Sequence, residues 1–572
     1  MCRWTGFLVS AWFNNRPLPT FARPAGRVRV FQFDASIIFC FLAGRASLTA
    51  AINKLRMNQL LKILVLICFL LPECLRAELK LPAIIGDHMV LQQKQANPIW
   101  GWDVPGTTVT VVFAGQTQTT VAGPDGKWTV KLDSQPANDR AQSLTITSGT
   151  RKVEIKDVLI GEVWMCSGQS NMGFRLQEEW NGDLEAAASK LPNLRLIRVP
   201  NVGRQELQTD FQGVWTNATP ETAAKFSAVG FLYGRYLHQI LGVPVGLIDN
   251  SWGGSAAEAW VRRTSLEQDP RFADLIARTV KQEAYEQSDK ARSDYAAALK
   301  KYQAAAAQAK AAGLPAPRAP ETPADWLVGR ARPGNIFAGM VFPTRGYGIK
   351  GVIWYQGESN AGRAAEYAQL FPFLIGQWRK EWNQGDFPFY WVQLANYMKR
   401  PVQPGEASNW AELRESQTRT LSLPNTGQAV IIDVGEGKNI HPKDKHDVAA
   451  RLVRWALVRD YGFKLPCHSP EFKRLEIKGD KAVVTLDCFG SSLRTFDVDE
   501  AIGFAVCGDD WVWHWATGKL LGTDRVELTC PEVQNPVAVR YAWANNPVCN
   551  LTSLEGLPVT PFRTDAPSSG KP

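Results

Sequence analysis

The chain has 572 residues, enough for three or four domains, and its hydrophobic content of 45% is ordinary for a globular protein. The formal net charge of +9 comes almost entirely from residues 1–77, which hold ten Lys/Arg and two Asp/Glu, leaving 54 and 53 in the rest. The remaining chain is therefore close to neutral, which gives no indication of a nucleic-acid-binding surface.

Residues 1–77 contain a pattern typical of a signal peptide. Met57–Lys62 supplies a basic start, Ile63–Leu71 a short apolar core, and Ala77 fits a cleavage point. The core is too short for a membrane span. We therefore expect export to the periplasm or the extracellular space, with a mature chain from Glu78. Residues 1–56 precede the better start and are expected to come from an over-extended gene model.

Residues 78–156 are predicted to form a small β-sandwich. Thr108–Phe113 and Lys127–Leu132 alternate polar and apolar residues, and Pro124–Gly126 between them is a clear turn signal. From Asp157 to Phe463 the pattern changes to strands that alternate with helices, which favours a parallel α/β sheet.

The first candidate site residue is Ser170. The apolar run Val158–Met165 ends in a small polar turn, Gly168–Met172, with Ser170 at its centre. A buried strand that stops at a Gly-rich turn is where an α/β enzyme presents a nucleophile. The turn lacks the Gly-x-Ser-x-Gly pattern of the α/β-hydrolase elbow, and an ordinary polar turn is the alternative interpretation. Cys166 lies within the apolar strand and is expected to be a packed thiol.

Two further strand ends carry similar polar loops. Val245–Asn250 is followed by Gly253 and Gly254, whose backbone N–H groups could approach a substrate oxygen. Val352–Tyr355 is followed by a loop that contains Gln356 and Asn360, whose amides are candidates for the same role. Either loop alone is weak as a signal, since Gly-rich turns are common.

Between these two strands, residues 274–313 are rich in Ala, Lys, Gln and Glu. This composition predicts one or two solvated helices inserted into the enzyme domain, ended by the Pro-rich segment 314–323.

A late apolar strand that begins at Ile431 leads into a loop with His441, which is followed by Pro442 and then by the helical pattern of Asp447–Tyr461. A lone His is more often structural than catalytic. A Ser loop and a His loop that both follow strands favour a Ser–His hydrolase.

Residues 464–572 return to β patterns and are predicted to form a terminal β domain with a polar tail. This region holds five of the ten cysteines. In an exported protein they suggest one or two disulfides, with buried free thiols as the alternative. No Cys or His cluster indicates a metal site. The cysteines of this region are Cys467, Cys488, Cys507, Cys530 and Cys549.

The motifs together resemble the sialate O-acetylesterases of the SGNH hydrolase superfamily. The similarity is carried by Gly-Gln-Ser-Asn-Met at 168–172, Trp-Gly-Gly-Ser at 252–255, Trp-Tyr-Gln-Gly-Glu-Ser-Asn at 354–360 and Ile-His-Pro at 440–442, and extends over about 81–564. It implies a multidomain α/β chain with an SGNH-type parallel α/β/α catalytic domain at 157–463, flanked by β domains at 78–156 and 464–572.

The resemblance also implies roles for the candidate residues. Ser170 would be the nucleophile and His441 the general base. The oxyanion hole would combine the Ser170 N–H, an N–H of Gly253 or Gly254, and an amide, with Gln356 favoured over Asn360.

The sequence departs from the SGNH pattern at the third catalytic member. The position three before His441, where SGNH enzymes often have Asp, is Lys438. Asp433 and Glu436 are the nearest upstream carboxylates, and a backbone carbonyl that orients His441 in a Ser–His dyad is the alternative.

The function expected is hydrolysis of acetyl esters on an acetylated sugar or glycan, with sialate as the expected sugar, without metal or organic cofactor. Two alternatives stay open: an esterase for acetylated xylan or another polysaccharide, and a non-catalytic glycan-binding protein. The sequence carries no signal for an oligomeric state.

Overall fold

The computed structural model describes residues 79–565. The expected signal peptide at 57–77, the start before it and the tail at 566–572 lie outside the described residues. None of the helices between residues 79 and 565 combines the length and apolar character that crossing a bilayer requires.

The described chain begins with short antiparallel strands. In β5 every second residue is buried, so one face packs on the core while the other meets solvent. The turn before β5 forms as its sequence predicts, with the Lys127 N–H donating to Asp125 Oδ1 at 3.0 Å. The strands are β1 (Val90–Gln92), β2 (Asn97–Trp102), β3 (Thr108–Phe113), β4 (Gln116–Val121), β5 (Lys127–Leu132) and β6 (Asn138–Ser148).

Strand β7 (Arg151–Gly168) connects this region to the rest of the chain. Its first half pairs antiparallel with β6, and its second half is the centre of a parallel sheet. Asp157 lies between the halves with a φ of 55°, and its carboxylate accepts from Arg195 Nη1 at 2.8 Å. The domain boundary expected at residues 156 and 157 therefore falls inside one strand.

The parallel sheet has the strand order β13-β12-β11-β7-β10-β8, and β9 is an antiparallel edge. Strands β10 and β11 are buried along their whole length, because helices cover both faces of the sheet. The strands are β8 (Leu191–Arg198), β9 (Thr216–Ala218), β10 (Val245–Ser251), β11 (Gly351–Tyr355), β12 (Phe389–Val392) and β13 (Thr426–Ala429).

Ten α-helices lie within residues 79–565, besides shorter 3-10 and π turns. Trp164 and Cys166 of β7 face one apolar layer with α3 and α10, while Val163 and Met165 face the other with α8. The helices are α1 (Gly182–Ala187), α2 (Pro220–Ala224), α3 (Ala228–Leu241), α4 (Arg263–Glu267), α5 (Ala273–Glu286), α6 (Asp289–Ala311), α7 (Pro323–Leu327), α8 (Ala364–Trp382), α9 (Asn409–Arg419) and α10 (His446–Arg459).

The segment predicted to be a helical insertion consists of α5 and α6. Across these 37 residues only Leu275, Thr279 and Ala291 are buried, so the pair is largely solvated. The Pro-rich stretch follows α6, and α7, with Thr322 as its N-cap, packs against α5 and α6.

The last part of the described chain forms a seven-stranded antiparallel sheet, β14-β15-β19-β18-β17-β20-β22, and a two-stranded ribbon, β16-β21. Its apolar core includes Val430 and Ile432, which follow β13. The strands are β14 (Glu471–Lys478), β15 (Lys481–Asp487), β16 (Leu493–Thr495), β17 (Ala501–Cys507), β18 (Trp513–Leu521), β19 (Arg525–Thr529), β20 (Ala538–Tyr541), β21 (Leu551–Ser553) and β22 (Phe562–Arg563).

The disulfides suggested for the terminal β region are wrong. All five of its cysteines are free thiols, and all except Cys549 are buried, so the alternative of buried free thiols describes this region. Cys166 is also free and fully buried, as expected for a packed thiol. Burial, followed by the nearby carboxylate of Asp249, raises its pKa well above that of an ordinary thiol.

Candidate functional site

Ser170 lies on a tight turn at the carboxyl end of β7. Gly168 has a φ of 136°, and a Cβ there would overlap the carbonyl oxygen of Tyr355, so only glycine fits. The Gln169 N–H donates to that carbonyl at 2.9 Å, and the Met172 N–H donates to Gln169 O at 3.0 Å. Strand order reverses at β7, the point where open α/β sheets bind ligands.

The structure brings His441 to Ser170. Nε2 of His441 lies 2.8 Å from Ser170 Oγ, within hydrogen-bond reach, although 271 residues separate the two. The His441 loop is held by Asn439, whose Oδ1 accepts from the His441 N–H at 3.0 Å and whose Nδ2 donates to His441 O at 2.8 Å. A local amide thus fixes the backbone of the histidine.

The structure does not bring the two expected carboxylates to the imidazole. Asp433 forms a bidentate pair with Arg451, at 2.6 and 2.7 Å. Glu436 accepts from the Lys443 N–H at 2.9 Å. Within residues 79–565, Nδ1 of His441 has no hydrogen-bond partner, so neither carboxylate takes the place that Asp has in a triad.

A buried polar cluster joins the two loops instead. Asn171 Nδ2 donates to Ile440 O at 3.0 Å and to Glu358 Oε1 at 2.6 Å. Asn171 Oδ1 accepts from Lys445 Nζ at 2.7 Å. Since Asn171 follows Ser170 and Ile440 precedes His441, this amide ties the nucleophile turn directly to the histidine loop.

Lys445 brings a charge into this cluster. Its side chain is fully buried, and Nζ lies 4.8 Å from the ring centre of Phe174 and 5.2 Å from that of Tyr355. Burial lowers the pKa of Lys445 to about 7. Burial, followed by the charge of Lys445, lowers the pKa of His441 below that of an ordinary imidazole, while Glu178 opposes the shift. The neutral imidazole that a general base requires is thereby favoured.

Two backbone N–H groups at the serine have no acceptor among residues 79–565. A Cβ on Gly253 would lie 3.3 Å from Ser170 Cβ, so this glycine allows the loop after β10 to approach the turn. In the described chain, the N–H groups of Ser170 and Gly253 donate to no protein acceptor. Gly254 lies beside Arg330 instead, where a Cβ would be 2.8 Å from Nε.

The two amides expected in the oxyanion hole are used elsewhere. Gln356 Nε2 donates to Ser255 O at 3.1 Å and to Asn360 Oδ1 at 2.8 Å. Asn360 Nδ2 donates to Glu258 Oε2 at 2.8 Å. Both side chains are buried and neither lines the cavity at Ser170, because they brace the loops behind it.

The cavity at Ser170 and His441 has a volume of about 400 Å³. Three polar residues that sequence reasoning missed line it: Glu178, Arg198 and Asn201. Arg198 lies 3.6 Å from Asp249, whose pKa burial raises to about 6. Arg198 and Asn201 follow from the carboxyl end of β8, so the strand-end rule applied to Ser170 would have found them.

Serine-type hydrolases are defined by two features: a serine hydroxyl that can pass its proton to a neutral imidazole, and nearby donors for a developing oxyanion. The site at Ser170 has this arrangement. Comparison with known proteins shows which family of hydrolases the chain resembles. A family model described as carbohydrate esterase, sialic acid-specific acetylesterase, matches residues 328–450.

The sialate O-acetylesterase of Rattus norvegicus is 30% identical over 527 residues, covering 84% of this chain and 93% of the relative. The human enzyme is 29% identical, with 84% and 91% covered. A crystal structure of a carbohydrate acetylesterase from Xanthomonas citri superposes with a TM-score of 0.71 at 35% identity, covering 85% of this chain and all of that one. The chain belongs to the sialate O-acetylesterase family, which confirms the resemblance of its motifs and makes it an esterase.

Proposed function

We propose that this esterase removes acetyl groups from sugar hydroxyls through an acetyl-serine intermediate. The observation that carries the proposal is the 2.8 Å contact between Ser170 Oγ and His441 Nε2 in an open cavity. The relatives named above support the sugar ester as substrate, since sialate O-acetylesterases and a carbohydrate acetylesterase resemble the chain over most of its length.

The reaction takes two steps. Ser170 Oγ attacks the acetyl carbonyl carbon while His441 Nε2 takes the hydroxyl proton, and the sugar oxygen then leaves with that proton. A water molecule, activated by the same imidazole, attacks the acetyl-serine and releases acetate and a proton. The N–H groups of Ser170 and Gly253 hold the oxyanion in both steps, and Asn201 is the amide side chain positioned in the cavity to assist.

His441 acts here without a carboxylate partner. The cluster of Asn171, Glu358 and Lys445 keeps its loop at the correct distance from Ser170. A Ser–His dyad oriented through its backbone is the mechanism this arrangement supports.

Replacing Ser170 with Ala tests the mechanism. Acetate release should fall by about 10⁵- to 10⁶-fold, as for other serine nucleophiles, with an unchanged unfolding transition. The assay measures acetate from O-acetylated sialic acid, acetylated xylan and an aryl acetate. Ser359→Ala is the control, since it alters an exposed serine after a neighbouring strand and should keep full activity. Undiminished acetate release by the Ser170 variant would remove the nucleophile assignment.

The same assay compares the sugars. Faster turnover of acetylated sialic acid than of acetylated xylan is expected from the curated relatives, while the reverse order would favour a plant-polysaccharide esterase.

Two further parts of the proposal concern the domain organisation of the chain and its export from the cytoplasm. We propose that the parallel sheet is an SGNH-type catalytic domain with β domains on either side, supported by the placement of Ser170 and His441 at its carboxyl edge. Export through residues 57–77 is proposed from their basic and apolar pattern. Sequencing the N-terminus of the secreted protein tests this, and a chain that retains residues 57–77 would contradict it.

A further inference from the structure

A second, larger cavity adjoins the one at Ser170. Its volume is about 580 Å³, within the range of ligand sites in proteins. Helix α7 and the segment after it supply Trp326 and Arg330, and the loops after β8 and β10 supply Asn201 and Trp252. This cavity has no role in the mechanism derived above.

The two cavities are neighbours that share part of their lining. Asn201 lines both of them. Gly253 faces the cavity of Ser170 and the next residue, Gly254, faces the larger cavity. Gly254 has a φ of 72°, and its missing side chain lets Arg330 lie against the loop. A ligand that starts at Ser170 can therefore extend past this glycine pair.

The lining of the larger cavity has the chemistry of a sugar site. Trp252 and Trp326 are partly exposed, so each presents part of a flat apolar ring. Asn201, Asp325 and Arg330 add hydrogen-bond donors and acceptors of both charges. The Arg330 guanidinium donates to Glu321 at 3.3 Å, which holds it at the rim. Flat rings with mixed polar groups suit a pyranose, which has apolar faces and a hydroxyl rim.

We propose that this cavity is a glycan subsite that binds sugar residues attached to the acetylated one, so that the enzyme prefers acetylated oligosaccharides to acetylated monosaccharides. The inference rests on the proposed esterase function. The cavity at Ser170, at about 400 Å³, takes the acetylated residue, and the larger cavity takes the next residues along the glycan.

The test compares matched substrates with the full chain. They are O-acetylated N-acetylneuraminic acid and O-acetylated sialyllactose, O-acetylated xylose and O-acetylated xylotetraose, and an aryl acetate. One of the two sugar pairs is expected to be hydrolysed. For that pair, the wild-type kcat/KM should be at least about tenfold higher for the oligosaccharide than for the monosaccharide. Trp326→Ala should remove about tenfold of that preference, mainly through KM, because one aromatic contact is worth roughly that factor.

Three controls accompany this variant. Aryl acetate turnover by Trp326→Ala should stay at the wild-type rate, which also shows that the variant folds. Trp326→Phe should recover most of the preference because it keeps an aromatic face. Trp511→Ala removes an exposed tryptophan of the terminal β region, 58% exposed, and should change nothing.

A wild-type measurement covers the case in which the Trp326 variants do not fold. Unacetylated oligosaccharide should compete with aryl acetate hydrolysis at least about tenfold more strongly than the monosaccharide, by the same aromatic contact. Equal competition, or equal loss of monosaccharide and oligosaccharide turnover in Trp326→Ala, would overturn the subsite. If the wild type released acetate from none of the sugars, the proposed function itself would fail, together with this inference.

Discussion

Replacing Lys445 with Met tests whether burial lowers the pKa of this lysine in the folded protein. Met has a similar length and no charge, so it fills the space between Phe174 and Tyr355. It leaves the Oδ1 of Asn171 without its donor. The absolute stability of the variant at one pH combines several effects, whereas the change in stability between two pH values reports mainly on the titration of Lys445.

The size of the expected change in unfolding free energy follows from the pKa of Lys445 in the folded and the unfolded protein. The ordinary lysine pKa of 10.5 is lowered to about 7 by burial in the folded protein. Between these values the unfolded chain binds a proton that the folded protein does not, so wild-type stability rises with pH, by up to about 1.4 kcal/mol per unit. From pH 7, where the folded group is half titrated, to pH 9, the gain is about 2 kcal/mol. The Met variant lacks this gain.

Urea unfolding of wild type and variant at pH 7 and pH 9 measures the difference. The free energy of unfolding of the wild type, relative to the variant, should increase by about 2 kcal/mol over this range. Lys443→Met, two residues away at an exposed position, should show no such change. A wild-type–variant difference that is the same at both pH values would refute the buried, readily deprotonated lysine.

Three further predictions concern the reaction. As the pH falls, kcat/KM should decline with a midpoint below pH 6.5, because the lowered pKa of His441 keeps its imidazole neutral to lower pH. A midpoint above pH 6.5 in the pH–rate profile would contradict this. Asp433→Asn should lower kcat by no more than about tenfold, because Asp433 pairs with Arg451 rather than with His441. Loss of a triad aspartate lowers kcat by roughly 10⁴-fold, so a loss of that size would show that Asp433 is the third member of a triad. Gly253→Ala should lower kcat about 100-fold, since its methyl group would press on Ser170 and shift the N–H donor; unchanged kcat for aryl acetate would exclude that donor.

The sequence was sufficient to find the residues that meet at the sheet edge. Ser170 follows β7 and His441 follows β13, and parallel strands bring their carboxyl ends to one edge whatever their separation along the chain. The second strand lies earlier than predicted, at Thr426–Ala429, and Ile432 of the apolar run predicted to form it packs in the core of the terminal β region instead. The turn at Pro124–Gly126 and the helices of the insertion were predictable for a similar reason, since local residue preferences decide them.

Hydrogen-bond partners were harder to predict. Gln356 lies at a strand end, yet its amide braces Ser255 and Asn360, because the direction of a side chain depends on packing that the sequence does not state. Lys445 was missed because a lysine in a loop is ordinarily exposed, and only the folded neighbours Phe174 and Tyr355 bury it.

The exact domain boundary near residue 157 was also not predictable from the sequence. The change from β to α/β composition is real, but β7 continues through it. Composition reports which layers surround a segment and does not report where a strand ends.

The length of β7 has a consequence for the order in which the protein is made. The partner of its first half, β6, precedes it in the chain, but β11, one neighbour of its second half, begins only at Gly351. At about 5–20 residues per second, the ribosome needs roughly 10–40 s to reach that strand. During this interval Val163–Met165 is an apolar segment with an unpaired edge. Soluble yield should therefore respond to chaperones that hold nascent chains, even where the finished enzyme is stable.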